Sequence, residues 1–383
     1  MAIPYGIVDA DAHVNPPPDF WQDYLPMHLR ELAPRVEAGD DADYVVFEGK
    51  RKKLNILGAT AGRAGKDFKA FGKRSETRAG GWDANARLAD MDNDGMDSAV
   101  IYGGGPLATS NLELYLASFE SYDRWIADFC STDPRRLAGI AYLPMHEDLD
   151  YNIDLMRRMA KLGLKGVNIP AFPQSMASMS EGLGVGMQIL ALTGDPNGPR
   201  QYDDPCFNPF WEAAIELGMS VNIHLGARSA RLEPAKHLLP DLLMTKLTMA
   251  EPVAIMIFGG VFQRYPDLKF VSVESGVGWF AFAAEYMDNV WHRHRHWTKN
   301  VLTEPPSFYM ERNVYGSFIH DHIGVSNRHL MGAKNIMWSS DYPHSETSYP
   351  NSLKVIDETF AGVPEDEKKQ IICTRAKELY HIG

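Results

Sequence analysis

Ile7-Val8-Asp9-Ala10-Asp11-Ala12-His13 is an apolar, β-type run that carries a polar side chain at every second position. Residues two apart on a strand point to the same side, so Asp9, Asp11 and His13 share one face and Ala10 and Ala12 take the other. Two carboxyls and an imidazole on a buried face are costly unless a partner neutralises them, and a cation is the simplest partner. Carboxylate oxygens and a neutral imidazole are ligands for Zn²⁺, Mn²⁺ or Fe²⁺. The plainer reading is a short strand that runs out into a solvated polar loop. The remainder of the chain favours the metal.

With 383 residues, 45% of them hydrophobic, the chain can bury a large core, and its length suits one α/β barrel with insertions. A formal charge of −12 argues against a nucleic-acid or anionic-membrane partner. No apolar run reaches the roughly 18 residues of a membrane span. The N-terminus has no basic segment leading into an apolar one, so no signal peptide is expected. Cys130, Cys206 and Cys373 have neither disulfide-framework nor zinc-finger spacing. The expected compartment is the cytoplasm.

Residues 15–81 read as a long irregular insertion rich in Pro, Gly and charge, with Lys50-Arg51-Lys52-Lys53 as a solvated basic face. From Asp83 the pattern alternates. Helical spacing at 85–94, 112–130, 149–162 and 208–217 interleaves with apolar strands at 98–103, 137–144, 165–170 and 220–226. Gly218 stands where a helix-closing glycine belongs. A Gly-, Met- and Ser-rich loop covers 172–205, and a second insertion, 227–250, precedes a helix through Phe262. A strand at 268–276, a helix from Trp279, a loop at Glu304-Pro305-Pro306, strands at 314–319 and 336–341 and a helical tail over 364–380 complete the chain. Alternating strands and helices with no repeat or linker imply a (β/α)₈ TIM barrel. The reading is one domain over residues 1–383, with long insertions after strand 1 and around strands 4 and 5.

Catalytic groups of such barrels sit at the C-terminal ends of the strands. Here those ends carry Asp11 and His13 (first strand), His224 (fifth), Glu274 (sixth) and Asp341 (eighth). Taken singly, each is better explained as a hydrogen-bonded core residue or a helix cap. Taken together at matching positions, they form the ligand shell of a divalent metal with room for water or substrate.

The residues also carry a family resemblance. Asp9-Ala10-Asp11-Ala12-His13, Gly163-Leu164-Lys165-Gly166-Val167, Val221-Asn222-Ile223-His224-Leu225-Gly226 and Trp338-Ser339-Ser340-Asp341-Tyr342-Pro343-His344 resemble the motifs of amidohydrolase-related (amidohydrolase 2) proteins. Within that family the chain looks most like the aminocarboxymuconate-semialdehyde decarboxylase-like metal-dependent barrels. The resemblance spans nearly the whole chain outside the insertions. It implies metal ligation by Asp11, His13, His224 and Asp341, with Asp341 also moving protons. It further implies hydrolysis or non-oxidative decarboxylation of a small carboxylated or aromatic compound, with one or two Zn, Mn or Fe ions per chain.

One departure matters. Decarboxylases of the family usually place a catalytic histidine in a His-Gly-Gly setting at the sixth strand. Here Val273-Glu274-Ser275-Gly276 puts Glu274 there, a base or a ligand for a second ion. Asp9 is a second-metal ligand or a hydrogen-bond support for one, and His344 binds metal or substrate. This richer set keeps open a dinuclear Fe/Fe or Fe/Mn oxygen-dependent hydroxylase, while a non-catalytic partner subunit is a third reading. His320 and His322 are further candidates for the mouth. His292-Arg293-His294-Arg295-His296 reads as a solvated or interface segment, and Gly103-Gly104-Gly105 lacks the context of a phosphate loop. Relatives self-associate, so a homo-oligomer, or a hetero-oligomer with a related chain, is expected. Trp291 to Trp297 would suit the interface.

Overall fold

Every residue of the first strand, β1 (Val8–His13), is buried in the computed structural model. The structure describes residues 3, 5–17, 19–63, 65–103, 105–173, 200–225, 234–330, 332 and 334–383. Val8, Ala10 and Ala12 join the main hydrophobic core, while Asp9, Asp11 and His13 are buried as polar groups. The alternation of the sequence is thus the alternation of the barrel wall.

Seven more strands complete the ring: β2 (Ser98–Tyr102), β3 (Leu137–Tyr142), β4 (Gly166–Asn168), β5 (Ser220–His224), β6 (Phe270–Val273), β7 (Val314–Phe318) and β8 (Ile336–Trp338). Neighbours in sequence pair in parallel from β1 through β8. The circuit closes where His13 N–H donates to Tyr342 O at 2.5 Å and Asp341 N–H donates to Asp11 O at 2.9 Å. This is the (β/α)₈ barrel that the sequence implies.

Local chemistry sets the helices between the strands. Asn111 accepts from Leu114 N–H to open the helix Leu112–Cys130, whose buried face carries Tyr122, Trp125, Ile126 and Phe129. Asp83 and Asp148 cap Ala84–Asp94 and Leu149–Lys161 in the same way. Gly218, at φ +64°, supplies the left-handed turn after Asn208–Glu216. At Gly316 a Cβ would lie 2.5 Å from Phe280, so only glycine lets the helix Gly278–Thr298 pack this closely on β7.

Several expectations need correction. Residues 15–81 are not irregular throughout: Arg35–Glu37, Tyr44–Phe47 and Lys50–Lys53 form a three-stranded antiparallel sheet. The basic cluster is its exposed outer strand, where charge protects the open edge. The insertion at 227–250 contains a helix, Pro234–Leu247. The helix through Phe262 breaks into Ala250–Phe258 and Val261–Arg264, because Gly260 turns left-handed at φ +71°. Pro306 begins a helix, Pro306–Asn313, instead of lying in a loop, since proline fits the first helical turn. Trp291 is buried and Trp297 exposed, so only the latter is open to a partner. Most of the 172–205 loop, Gly104 and residues 227–233 lie outside the described residues. No helix among the described residues is long and apolar enough to cross a membrane.

Candidate metal centre

The first strand delivers Asp11 and His13 to the end of the barrel where the chain closes. Asp11 Oδ1 lies 3.2 Å from His13 Nε2 and 3.3 Å from His224 Nε2, and the two imidazole nitrogens are 3.1 Å apart. On the other side, His13 Nε2 is 3.2 Å from Asp341 Oδ1, which is 2.8 Å from His344 Nδ1. The His344 ring stacks on His13 with centroids 3.9 Å apart. Glu274 Oε2 approaches His224 Nε2 at 3.6 Å, and its Oε1 meets Lys246 Nζ at 3.3 Å.

Backbone geometry at the strand ends aims these groups. Glu274 directly follows β6 and Asp341 lies just past β8, and both adopt left-handed conformations with φ +57°. Non-glycine residues pay roughly 1–3 kcal/mol for such a backbone, and they persist where the surroundings over-determine them. The left-handed turn ends the extended strand and points each carboxylate back into the mouth.

The donor set fits a divalent cation. One ligand atom each from Asp11, His13, His224 and Glu274 lies within 4.8 Å of the others, and so do those of His13, Glu274, Asp341 and His344. Asp11 Oδ2, Glu274 Oε2 and both Asp341 oxygens are buried yet receive no well-aligned hydrogen bond. Uncompensated buried carboxylate oxygens are costly, and a cation is what would satisfy them together. Nitrogen and oxygen donors of this kind suit Zn²⁺, Mn²⁺ or Fe²⁺.

Protonation obeys the same logic. Burial works against charge on His13, but Asp11 and Asp341 overcome it and hold its pKa up at about 10. Burial would likewise raise Asp11, yet His224 and His13 pull it well below the ordinary carboxylate range. Asp341 is lowered too, against its burial, by His344 and His13. Glu274 goes the other way, to about 8, because burial, Asp341 and Asp11 all oppose a further negative charge. Without a cation the cluster balances its carboxylates with a protonated imidazole, and a bound metal would take the place of that proton.

Six of the residues singled out in the sequence therefore meet: Asp11, His13, His224, Glu274, Asp341 and His344. Asp9 does not join them. Its Oδ1 accepts from Ser340 N–H at 2.8 Å and from Asp11 N–H at 3.2 Å, and its Oδ2 accepts from the Ser340 hydroxyl. His320 and His322 are exposed and outside the group, and the 292–296 tract lies on the Gly278–Thr298 helix with its histidines exposed. Two neighbours escape the sequence reading. Arg87 is fully buried and donates to Gly80 O at 2.8 Å and to His13 O. Its signal was an arginine one turn before buried Met91 on the inward face of its helix. Lys246 sits in the segment read as the second insertion, and no spacing pointed to it.

A closed ring of parallel strands that gathers histidines and carboxylates at one end defines a metal-site (β/α)₈ barrel. The chain belongs to the amidohydrolase family: the family model described as Amidohydrolase matches residues 8–382. It is similar to a 2-amino-3-carboxymuconate-6-semialdehyde decarboxylase of Dictyostelium discoideum, 27% identical over 68% of this chain and 67% of that one. It is also similar to a γ-resorcylate decarboxylase of a Rhizobium species, 21% identical over 78% of this chain and 87% of that one. Among solved structures, an amidohydrolase from Mycobacterium avium subsp. paratuberculosis superposes with a TM-score of 0.75 at 18% identity, covering 99% and 100% of the two chains. A 5-carboxyvanillate decarboxylase from Novosphingobium aromaticivorans, which holds manganese, superposes with a TM-score of 0.68 at 17% identity over 99% and 98%.

Proposed function

We propose that this protein is a divalent-metal-dependent enzyme that acts on a small carboxylated or aromatic compound by non-oxidative decarboxylation, with hydrolysis the alternative at the same centre. The observation that carries this reading is the Asp341–His344 pair. Asp341 is buried beside the cluster, while His344, 2.8 Å away, is 29% exposed at its side chain. A proton carrier is thus linked to solvent at the point where substrate meets the donors. The named relatives act on carboxylated substrates, which supports the same class.

A bound ion, held by Asp11, His13, His224 and Asp341, would polarise substrate oxygens and lower the pKa of a bound water. The protein's own steps concern protons. Asp341, ionised at rest, takes up a proton through His344 and delivers it to the carbon that bears the carboxylate. The carbon–carbon bond then breaks, its electron pair stays with that carbon, and CO₂ departs. His344 returns a proton from solvent to Asp341. Glu274, which burial and its neighbours keep protonated, would lose that proton to a bound cation and could then serve as a base near His224.

The second reading, a dinuclear oxygen-dependent hydroxylase, draws support from the overlap of the two donor groups, which share His13 and Glu274. Plasma mass spectrometry on protein made in mixed-metal medium separates the readings. One Mn or Zn per chain, with CO₂ release from hydroxybenzoates that chelator abolishes, supports decarboxylation. Two ions including iron, with no CO₂ release, overturns it in favour of the hydroxylase. The complete donor set speaks against a non-catalytic partner subunit.

We also propose one structural domain over residues 1–383, tested by a single cooperative unfolding transition. Self-association is proposed through an apolar groove lined by Leu247, Phe282 and Tyr286, which are 43%, 71% and 58% exposed. Phe282→Glu should lower the mass seen by light scattering. Three free cysteines suit the reducing cytoplasm, the proposed compartment.

A further inference from the structure

Among the described residues, Lys246 is the one lysine or arginine that forms an ion pair with any of the six clustered donors. It does not come from the barrel wall. It stands near the end of the Pro234–Leu247 helix, in the insertion after β5. Its ammonium reaches Glu274 twice, at 3.3 Å to Oε1 and 3.2 Å to the backbone carbonyl. On its other side it reaches Glu346 Oε2 at 3.2 Å, in the segment after β8. Three separate parts of the chain therefore meet at one cation beside the metal ligands.

The two carboxylate partners are unlike. The Glu274 side chain is 6% exposed and belongs to the donor cluster, whereas that of Glu346 is 38% exposed. A partly exposed ion pair contributes little net free energy, since water competes for both charges. The contact to Glu346 is therefore the replaceable one. An incoming carboxylate that also gains contacts in the mouth can take its place without leaving the ammonium unpaired. Through Glu274, whose Oε2 lies 3.6 Å from His224 Nε2, the cation is one side chain removed from the centre.

We propose that Lys246 and Glu346 form an anion subsite at the mouth, in which a substrate carboxylate displaces Glu346 and is held by Lys246. The proposal rests on the reading that the substrate is a carboxylate. It assigns recognition of that charge to the insertion after β5 and gives Glu346 the part of an internal competitor. The two side chains should then affect binding in opposite directions, which a merely structural ion pair would not do.

The test uses the Mn²⁺-loaded full chain and isothermal titration with 2,6-dihydroxybenzoate, benzoate and muconate, and with neutral resorcinol as a control. Lys246→Met should weaken the acid that binds the wild type best by about tenfold or more, leaving resorcinol unchanged, and Lys246→Arg should restore most of the loss. Glu346→Gln should tighten the same acid a few-fold, because the competitor is gone. Manganese content by plasma mass spectrometry and the unfolding midpoint, measured on each variant, identify a variant that has lost its fold. Wild-type affinity for the acid in folded Lys246→Met and Glu346→Gln overturns the subsite while leaving the proposed function standing. No binding of any acid to the loaded wild type overturns both.

Discussion

Asp9 accepts both the backbone N–H and the hydroxyl of Ser340, the residue immediately before Asp341. The first strand thus carries Asp11 and His13 into the donor cluster and also fixes the turn that presents Asp341. Groups that orient metal ligands typically change metal affinity by 10–100-fold when lost. Asp9→Asn keeps one acceptor for the N–H but cannot accept the hydroxyl bond through its amide nitrogen. Metal affinity should fall by about 10–100-fold, with the saturating number of ions per chain unchanged. A lower saturating number, from competition titration with a chelating dye, would make Asp9 a ligand after all.

Asp341→Asn separates proton transfer from metal binding. Its buried oxygens lie 3.2 Å from His13 and 2.8 Å from His344, so an amide of the same shape keeps the packing but has no proton to give. Turnover should drop by roughly 10²–10⁴-fold, the usual weight of general acid–base catalysis, while the saturating number of Mn²⁺ ions stays the same, because the amide oxygen can still face the ion in place of the carboxylate. His344→Gln should have a smaller effect, since the proton carrier itself stays. CO₂ release from hydroxybenzoates, measured beside metal content, checks both. Equal losses in the two variants would mean that His344 is the acid.

The barrel was legible because a barrel strand is buried on both faces, so 98–103 and 220–226 read as apolar runs, and in Ile7–His13 the polar residues fall on the single face that lines the mouth. The donors were legible because strand ends in a barrel share one mouth. Where the reading stopped, chemistry was local. Lys50–Lys53 forms a strand through backbone pairing with Tyr44–Phe47, which no apolar pattern announces. Pro234–Leu247 has apolar residues all round, including exposed Leu239 and Leu243, so no amphipathic face marked it. Asp9 had the right type and spacing for a ligand. The Ser340 that engages both of its oxygens lies far away in sequence, where no local spacing could show it.

Asp123 should make stability depend on pH. It is fully buried on the helix Leu112–Cys130, and its Oδ1 accepts from Tyr142 N–H at 2.7 Å, while Oδ2 is buried and unpaired. Burial pushes its pKa well above the ordinary 3.8, so the folded protein keeps a proton that the unfolded chain releases. Above about pH 4 the folded state therefore binds more protons, and stability falls as pH rises until the folded group also titrates. Asp123→Asn removes this dependence and keeps the acceptor for Tyr142. In urea titrations the variant should gain on the wild type as the pH rises above about 4, by up to about 1.4 kcal/mol per pH unit. Parallel stability curves would show that Asp123 is ionised in the folded protein.

Arg87 joins the insertion to the first strand. Its guanidinium is 1% exposed, donates to Gly80 O and to His13 O, and lies 4.2 Å from the centre of the Tyr342 ring. It thereby satisfies two backbone carbonyls, one in the insertion and one on His13 of the donor cluster. Arg87→Met fills much of the volume but leaves both carbonyls buried and unpaired, at a cost of about 1–3 kcal/mol each. Arg87→Lys has one compact ammonium and cannot span both acceptors as a planar fork does, so it should recover less than half of the loss. The urea midpoint should fall in both variants with the slope unchanged, and Mn²⁺ affinity should fall with it, because His13 is carried on the carbonyl that Arg87 holds. A full rescue by lysine would show that charge alone, and not the two-carbonyl bridge, is what this position supplies.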